Sequence, residues 1–313
     1  MTFVGQIRRS VKTFVLGRQR PEPQCPWQVN AQELADVRIA WPRNLGWQWA
    51  NGWVDPLLHG FRSRIAVTIE DIPQELAGVT LIMFHRGKRV YRVGINTSDY
   101  PDLIQIHSPE AALDLEFKMQ YRNDGYDEPR VVPGGYISDR MLAYWYARRL
   151  QRERDRQRFR WDVYGRFGTR FATEVRGRAI GMLQNQHRVQ FYGGHGLVNF
   201  TKYLREIAHS RVCIDLPGNG PFCFRLVDYL AVGACIISVP HATRMPVPLI
   251  DRRNIIYTKP DMSDLVDLCE QYAHDETARE NVTREAQQYY RQHLYWRSLS
   301  DYYLRTLLDR LPA

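Results

Sequence analysis

The chain has 313 residues, 44% of them hydrophobic and 25% charged, with a formal net charge of +9. That length exceeds one small domain and suits two α/β domains of roughly 130–160 residues each. The composition excludes a disordered or fibrous chain, and the lack of any run of about 18 apolar residues excludes a membrane span.

Residues 1–28 read as a basic amphipathic arm, with Phe3, Ile7, Val11 and Phe14 at helical spacing beside Arg8, Arg9, Lys12, Arg18 and Arg20. Such an arm can lie on an anionic membrane surface or dock on its own domain, and Pro21, Pro23 and Pro26 end it. Residues 29–150 read as a first domain, with strands expected at 37–41, 65–69, 80–84, 92–95 and 131–132. Trp41, Trp47, Trp49 and Trp53 cluster within it and are expected to pack a loop more than to stack on sugar. An arginine-rich helix over 139–160 leads into a second domain, 151–295. There strands at 161–164, 189–191, 211–216, 234–239 and 255–258 alternate with helices, which predicts a parallel sheet covered on both faces. A final helix, within 296–313, is expected to pack on a neighbouring element. Five cysteines show no Cys-x-x-Cys pair and no zinc-ligand spacing, so free thiols and a reducing, cytoplasmic setting are expected.

The segment Ser210 to Gly233 carries the densest chemistry. An apolar strand enters a loop with Pro217, Gly218 and Gly220, and Arg225 then opens a helix that contains Asp228. Backbone N–H groups at a helix start beside a guanidinium can hold a diphosphate, and Asp228 can accept ribose hydroxyls. Tyr164 to Arg170 brings two glycines, Arg166 and Arg170 to a second strand exit. His195, in Gly193-Gly194-His195-Gly196, reads as a loop histidine more than a ligand. In the first domain Asp99 ends a strand in a polar turn. As a candidate proton acceptor for an alcohol it competes with Asp71 and His85, each at another strand end.

Asn96-Thr-Ser-Asp-Tyr-Pro101 resembles the Asn-x-Arg-Asp-Tyr-Pro signature of the protein O-glucosyltransferase and capsule-associated (CAP10-like) glycosyltransferases. Residues 165–170 are similar to that family's Arg-Gly turn, and 210–239 to its donor-binding region, which exostosin-type transferases share. The likeness runs over about residues 90–305. It implies a GT-B fold of two Rossmann-like domains facing a cleft. It also implies an inverting transfer from a UDP-sugar, glucose or xylose foremost, to an acceptor hydroxyl without a required metal or other cofactor. Asp99 is then the general base, Arg225 a diphosphate ligand with Arg166 beside it, and Lys118 a looser assignment near the cleft. Ser98 and Cys223 stand where the family has arginine and serine, which leaves the donor sugar open.

The acceptor expected is a glycan, a lipid-linked glycan or a protein, in polysaccharide synthesis. The family gives no guide to location, and the cysteines and basic arm lead to the expectation of a cytoplasmic enzyme or one peripheral on the inner membrane face. The alternative reading, from charge alone, is a basic nucleic-acid-binding protein or a transferase that glycosylates nucleic acid. No helix-turn-helix, zinc-finger or aromatic-platform pattern accompanies that charge.

Overall fold

The computed structural model describes residues 25–46, 50–103, 112–138, 140–196 and 198–313, and shows a mixed α/β architecture with two sheets flanked by helices. The basic part of the N-terminal arm, together with Trp47 and Trp49, lies outside the described residues.

The first sheet comprises β1 (Val37–Pro42), β2 (Ala66–Glu70), β3 (Val79–Arg86), β4 (Arg89–Asn96), β5 (Leu115–Lys118) and β6 (Val131–Pro133), in the spatial order β2-β1-β3-β4-β5-β6. β3 is antiparallel to both neighbours, and the other pairs are parallel. The sheet is therefore mixed, where the Rossmann-like expectation was an all-parallel one. The cause is local: β3 and β4 are joined by a tight hairpin at Gly87 and Lys88, which leaves no room for a crossover helix. Only β3 is reversed, so the carboxyl ends of β1, β2, β4, β5 and β6 still share one edge.

Helix α1 (Ala50–Arg62) contributes the buried Val54, Leu57 and Phe61 to this lobe's core. The chain then crosses through α2 (Met141–Asp155) into the second sheet: β7 (Trp161–Phe167), β8 (Phe191–His195), β9 (Ser210–Asp215), β10 (Cys235–Ser238) and β11 (Ile256–Tyr257). All its pairs are parallel, in the order β11-β10-β9-β7-β8. This is a doubly wound sheet that reverses between β7 and β9, and ligands in such sheets gather at the crevice outside the carboxyl ends there. Its helices are α3 (Thr173–Gln184), α4 (Phe200–Ala208), α5 (Phe224–Val232), α6 (Leu265–His274) and α7 (Glu276–Tyr289). From Arg225 to Val232 every residue of α5 is buried, so it is a central helix rather than a surface one.

A π-helical turn, Tyr290–Leu294, ends α7, and α8 (Trp296–Arg310) returns to the first lobe. There Tyr303 stacks on Phe117 with ring centres 3.9 Å apart. The Tyr303 hydroxyl donates to the Gly134 carbonyl at 2.8 Å, and Arg86 donates to the carbonyls of Leu308 and Leu311 at 2.6 Å each. Gly60 of α1 permits the contact, since a Cβ there would lie 1.7 Å from the Ser300 hydroxyl oxygen. One hydrophobic core accordingly runs from the first sheet through α2, α5 and α8 to one face of the second, while a separate core fills the opposite face. No described helix is long and apolar enough to cross a membrane.

Trp41 is buried and Trp53 packs edge-on against Tyr136, 5.4 Å away, as a packing role requires. All five cysteines are free thiols.

Candidate functional site

The carboxyl edges of the two sheets meet. After β4 the turn Thr97–Tyr100 presents Asp99, and after β5 the chain continues through Gln120 to Asn123. Opposite them lie the loop 216–223 after β9 and the loop 239–244 after β10. The Gln120 amide donates to the Phe222 carbonyl at 3.0 Å while its oxygen accepts the Phe222 N–H at 3.0 Å. Backbone bonds from Asn123 to Ala242 (3.1 Å) and from Arg244 to Tyr121 (2.8 Å) continue the seam.

Asp99 lies in this seam. Its Oδ2 accepts from the Asn219 amide at 3.1 Å, and its backbone oxygen would be 2.4 Å from a Cβ added at Gly220. Gly220 is thus glycine because the other lobe occupies its side-chain position. Burial raises the Asp99 pKa above the ordinary carboxylate value, and the Asn219 hydrogen bond opposes the rise. A carboxylate so placed is a better proton acceptor than an exposed one.

Beneath the turn, the Asn96 amide donates to Glu116 at 2.7 Å and its oxygen accepts the Ser98 N–H at 3.0 Å. Lys118 is fully buried, with Nζ 3.5 Å from the Ser98 hydroxyl. Burial lowers its pKa, against the pull of Glu116 and Asp102. Its place is under the Asp99 turn, not on the glycine loop. Topology separates Asp99 from its two competitors. His85 ends the one reversed strand and lies at the opposite edge, 3.2 Å from an Arg38 nitrogen. Asp71 follows the edge strand β2, three strands from β4 or roughly 14 Å at the usual spacing, in an exposed ion pair with Arg43.

Across the seam, the β7/β9 crevice holds two buried guanidinium groups. Arg225, 4% exposed, donates from Nε to the Arg166 carbonyl (3.2 Å) and from Nη1 to the Leu216 carbonyl (3.0 Å), with Asp215 Oδ1 at 3.4 Å. Arg176 of α3, also 4% exposed, donates to the carbonyls of Pro217 (3.0 Å) and Gly168 (2.8 Å). Its Nη2 would be 3.7 Å from a Cβ at Gly218. Both guanidinium groups lie over the Phe167 ring, at 4.8 and 6.0 Å. Burial and the charge of Arg225 together lower the Arg176 pKa. Asp215 stands nearby, 1% exposed, with Oδ2 3.5 Å from His241 Nε2. Helix α5 opens on Cys223, whose side chain makes no capping hydrogen bond. The crevice therefore combines two cations, one carboxylate and an uncapped helix start, an arrangement suited to an anion.

The remaining expected ligands lie elsewhere. The Arg166 side chain is held by Glu206 on α4, Nε to Oε2 at 2.6 Å and Nη2 to Oε1 at 3.1 Å, and only its backbone oxygen reaches Arg225. Strand alternation explains this, because Arg166 and Tyr164 share the face toward α4. Asp228 is fully buried, and its Oδ1 accepts the Ser138 hydroxyl at 2.7 Å, which ties the interlobe segment to α5. That interior position, 0% exposed and engaged by Ser138, is not one for a ribose contact. Arg170 is exposed beside Phe171, and His195 is exposed at the end of β8.

Sequence reading did not single out Arg176, Asp215, Gln120 or His241. For Arg176 a signal existed: it lies in the apolar stripe of α3 with Ala179, Ile180 and Leu183, where an arginine must have buried partners. Gln120 carried no local signal, since its partner is 102 residues away. Among the described residues no group of His, Cys, Asp and Glu is arranged to hold a metal ion. No protein-family model and no curated protein matches the chain.

Proposed function

We propose that this chain is an inverting glycosyltransferase of the GT-B type, moving a sugar from a UDP-sugar to an acceptor hydroxyl. The observation that carries the reading is the meeting of the Asp99 carboxylate with the glycine loop 217–221 across two facing carboxyl edges. In this reading the nucleotide diphosphate sits at the β7/β9 crevice, near Gly218, Arg225 and Arg176, with the anomeric carbon toward Asp99. Asp99 takes the acceptor's proton as the new bond forms on the face opposite the departing diphosphate. The guanidinium groups and helix start stabilise the charge that collects on the leaving group. The donor class, the inverting course and independence of metal come from the family resemblance. An acceptor in polysaccharide, lipid-linked or protein glycan synthesis, at an anionic membrane face, belongs to the same reading.

The test is Asp99→Asn. Turnover with UDP-sugars should fall by at least about a hundredfold, the usual contribution of a general base. UDP affinity by calorimetry should stay within about threefold, since the asparagine keeps an oxygen to accept from Asn219 and the guanidinium groups of the crevice are unchanged. A variant that keeps most of its activity refutes the assignment of the base. A wild-type chain that binds no nucleotide diphosphate refutes the donor site.

A further inference from the structure

The arginine-rich segment after Tyr146 is not used by the interlobe site. It borders a recess of about 490 Å³ between α2, α4 and the β7–β8 edge of the second sheet. That volume lies within the range of about 300–1,000 Å³ typical of small-molecule sites. We propose that this recess binds an anionic saccharide, a short run of sugar rings bearing carboxylate groups.

Three features carry the assignment. The first is cationic: Arg149, Arg160, Lys202 and Arg205 all line the recess. Arg160 and Arg205 are exposed and form no ion pair with the described acidic residues, so both are available to a ligand carboxylate. Arg154, from the same basic segment, is different. It is buried and donates to the carbonyls of Ile207 and Arg211, fixing the wall instead of facing the opening.

The second feature is aromatic. Trp161 and Tyr192 lie in the wall, stacked on each other with ring centres 4.0 Å apart and planes 4° from parallel. No gap remains between them for a flat base to insert, but the outer indole face can pack against the C–H face of a sugar ring.

The third is a pair of carboxylates among the cations. Glu153 is held by Arg149 at 3.0 Å. Glu206, 3% exposed, accepts from Tyr164, Arg166 and Tyr192. This buried hub immobilises the floor, so the recess is formed before any ligand arrives. Carboxylates accept hydrogen bonds from sugar hydroxyls, donors that the phosphodiester backbone of DNA lacks. Cations, carboxylates and an aromatic face together therefore favour a sugar acid over a nucleic acid.

The site stands apart from the interlobe seam, and its test does not use turnover. Trigalacturonate is titrated calorimetrically into the wild-type chain, with maltotriose and a short oligothymidylate of equal charge as comparators at one salt concentration. Trigalacturonate should bind at least about fivefold more tightly than either. The Arg160→Ala/Arg205→Ala double variant, which alters only exposed side chains, should weaken it about tenfold, the effect of losing charge-assisted contacts that are partly open to solvent. Trp161→Leu should weaken it several-fold, with unfolding midpoints confirming that each variant is folded. Asp99→Asn should leave the affinity unchanged. Absence of trigalacturonate binding, equal binding by the double variant, or tighter binding of the oligothymidylate overturns the proposal.

Discussion

Replacing Gln120 tests whether the two lobes are joined as described. Its side chain is fully buried and makes a matched pair of hydrogen bonds to the backbone of Phe222, each 3.0 Å long. Gln120→Ala leaves a buried N–H and a buried C=O without partners, at about 1–3 kcal/mol each, so a loss of about 2–6 kcal/mol is expected. Gln120→Glu is the sharper probe. Its carboxylate can still accept the Phe222 N–H, but ionised it faces the Phe222 carbonyl with no proton to donate. The folded state therefore favours the protonated acid, and the folded pKa is raised above the unfolded value of about 4.3. A raised acid pKa means that stability is present below about pH 4.3 and is lost as pH rises toward the folded value. At about 1.36 kcal/mol per pH unit, holding the proton at pH 7 costs at most about 3.7 kcal/mol. Urea unfolding of wild type and variant at pH 4 and pH 7 measures the difference. Gln120→Glu should nearly match wild type at pH 4 and fall below it at pH 7 by about 2 to 3.7 kcal/mol. A difference that does not change with pH, together with a Gln120→Ala loss under about 0.5 kcal/mol, would refute the buried latch.

Other substitutions probe other joints. Gly60→Ala gains about 1 kcal/mol of helix propensity but places a methyl 1.7 Å from Ser300 Oγ and 2.9 Å from the Trp296 carbonyl. Overpacking of about 1–3 kcal/mol wins, so the thermal midpoint should fall, and a rise would show that α1 and α8 are not in close contact. His293 is part-buried with Nδ1 lacking a partner, and burial lowers its pKa to about 4. The unfolded chain therefore binds the extra proton first, and stability is lost as pH falls from about 6.5 toward 4. In His293→Gln that acid sensitivity should shrink, and identical pH profiles by denaturant titration would contradict this. Arg176→Ala should weaken UDP binding about tenfold by calorimetry, because a charged hydrogen-bond donor leaves the crevice. The exposed Arg170→Ala should leave it unchanged, and equal affinities for Arg176→Ala and wild type would remove Arg176 from the site.

The helices and strands of the second lobe are legible locally, because the apolar runs Val212–Ile214 and Cys235–Ile237 are the buried centres of parallel strands bounded by polar turns. Two elements of the first lobe are not. Helix α1 contains Gly52, Pro56 and Gly60, each a helix breaker by propensity, yet its apolar side chains and contact with α8 outweigh them. Strand β5 is four residues, Leu-Glu-Phe-Lys, all buried. Glu116 and Lys118 are inside because Asn96, Ser98 and each other's charge compensate them, and an apolar/charged alternation of only four residues is too short to mark the strand and would place both charges outside.

The sequence by itself determined the α/β class, the doubly wound second sheet, the glycine loop with Arg225 after it, and Asp99 at a strand end. These are short-range facts, set by hydrophobic periodicity and turn chemistry within a few residues. Only the tertiary structure decided which arginines lie in the crevice, replacing the side chain of Arg166 with that of Arg176, and that Asp228 is interior. It also decided that Asp99, rather than Asp71 or His85, meets the loop 217–221. Strand order and direction bring together groups that lie up to about 120 residues apart, as Asp99 and Asn219 do, and no local pattern encodes such a meeting.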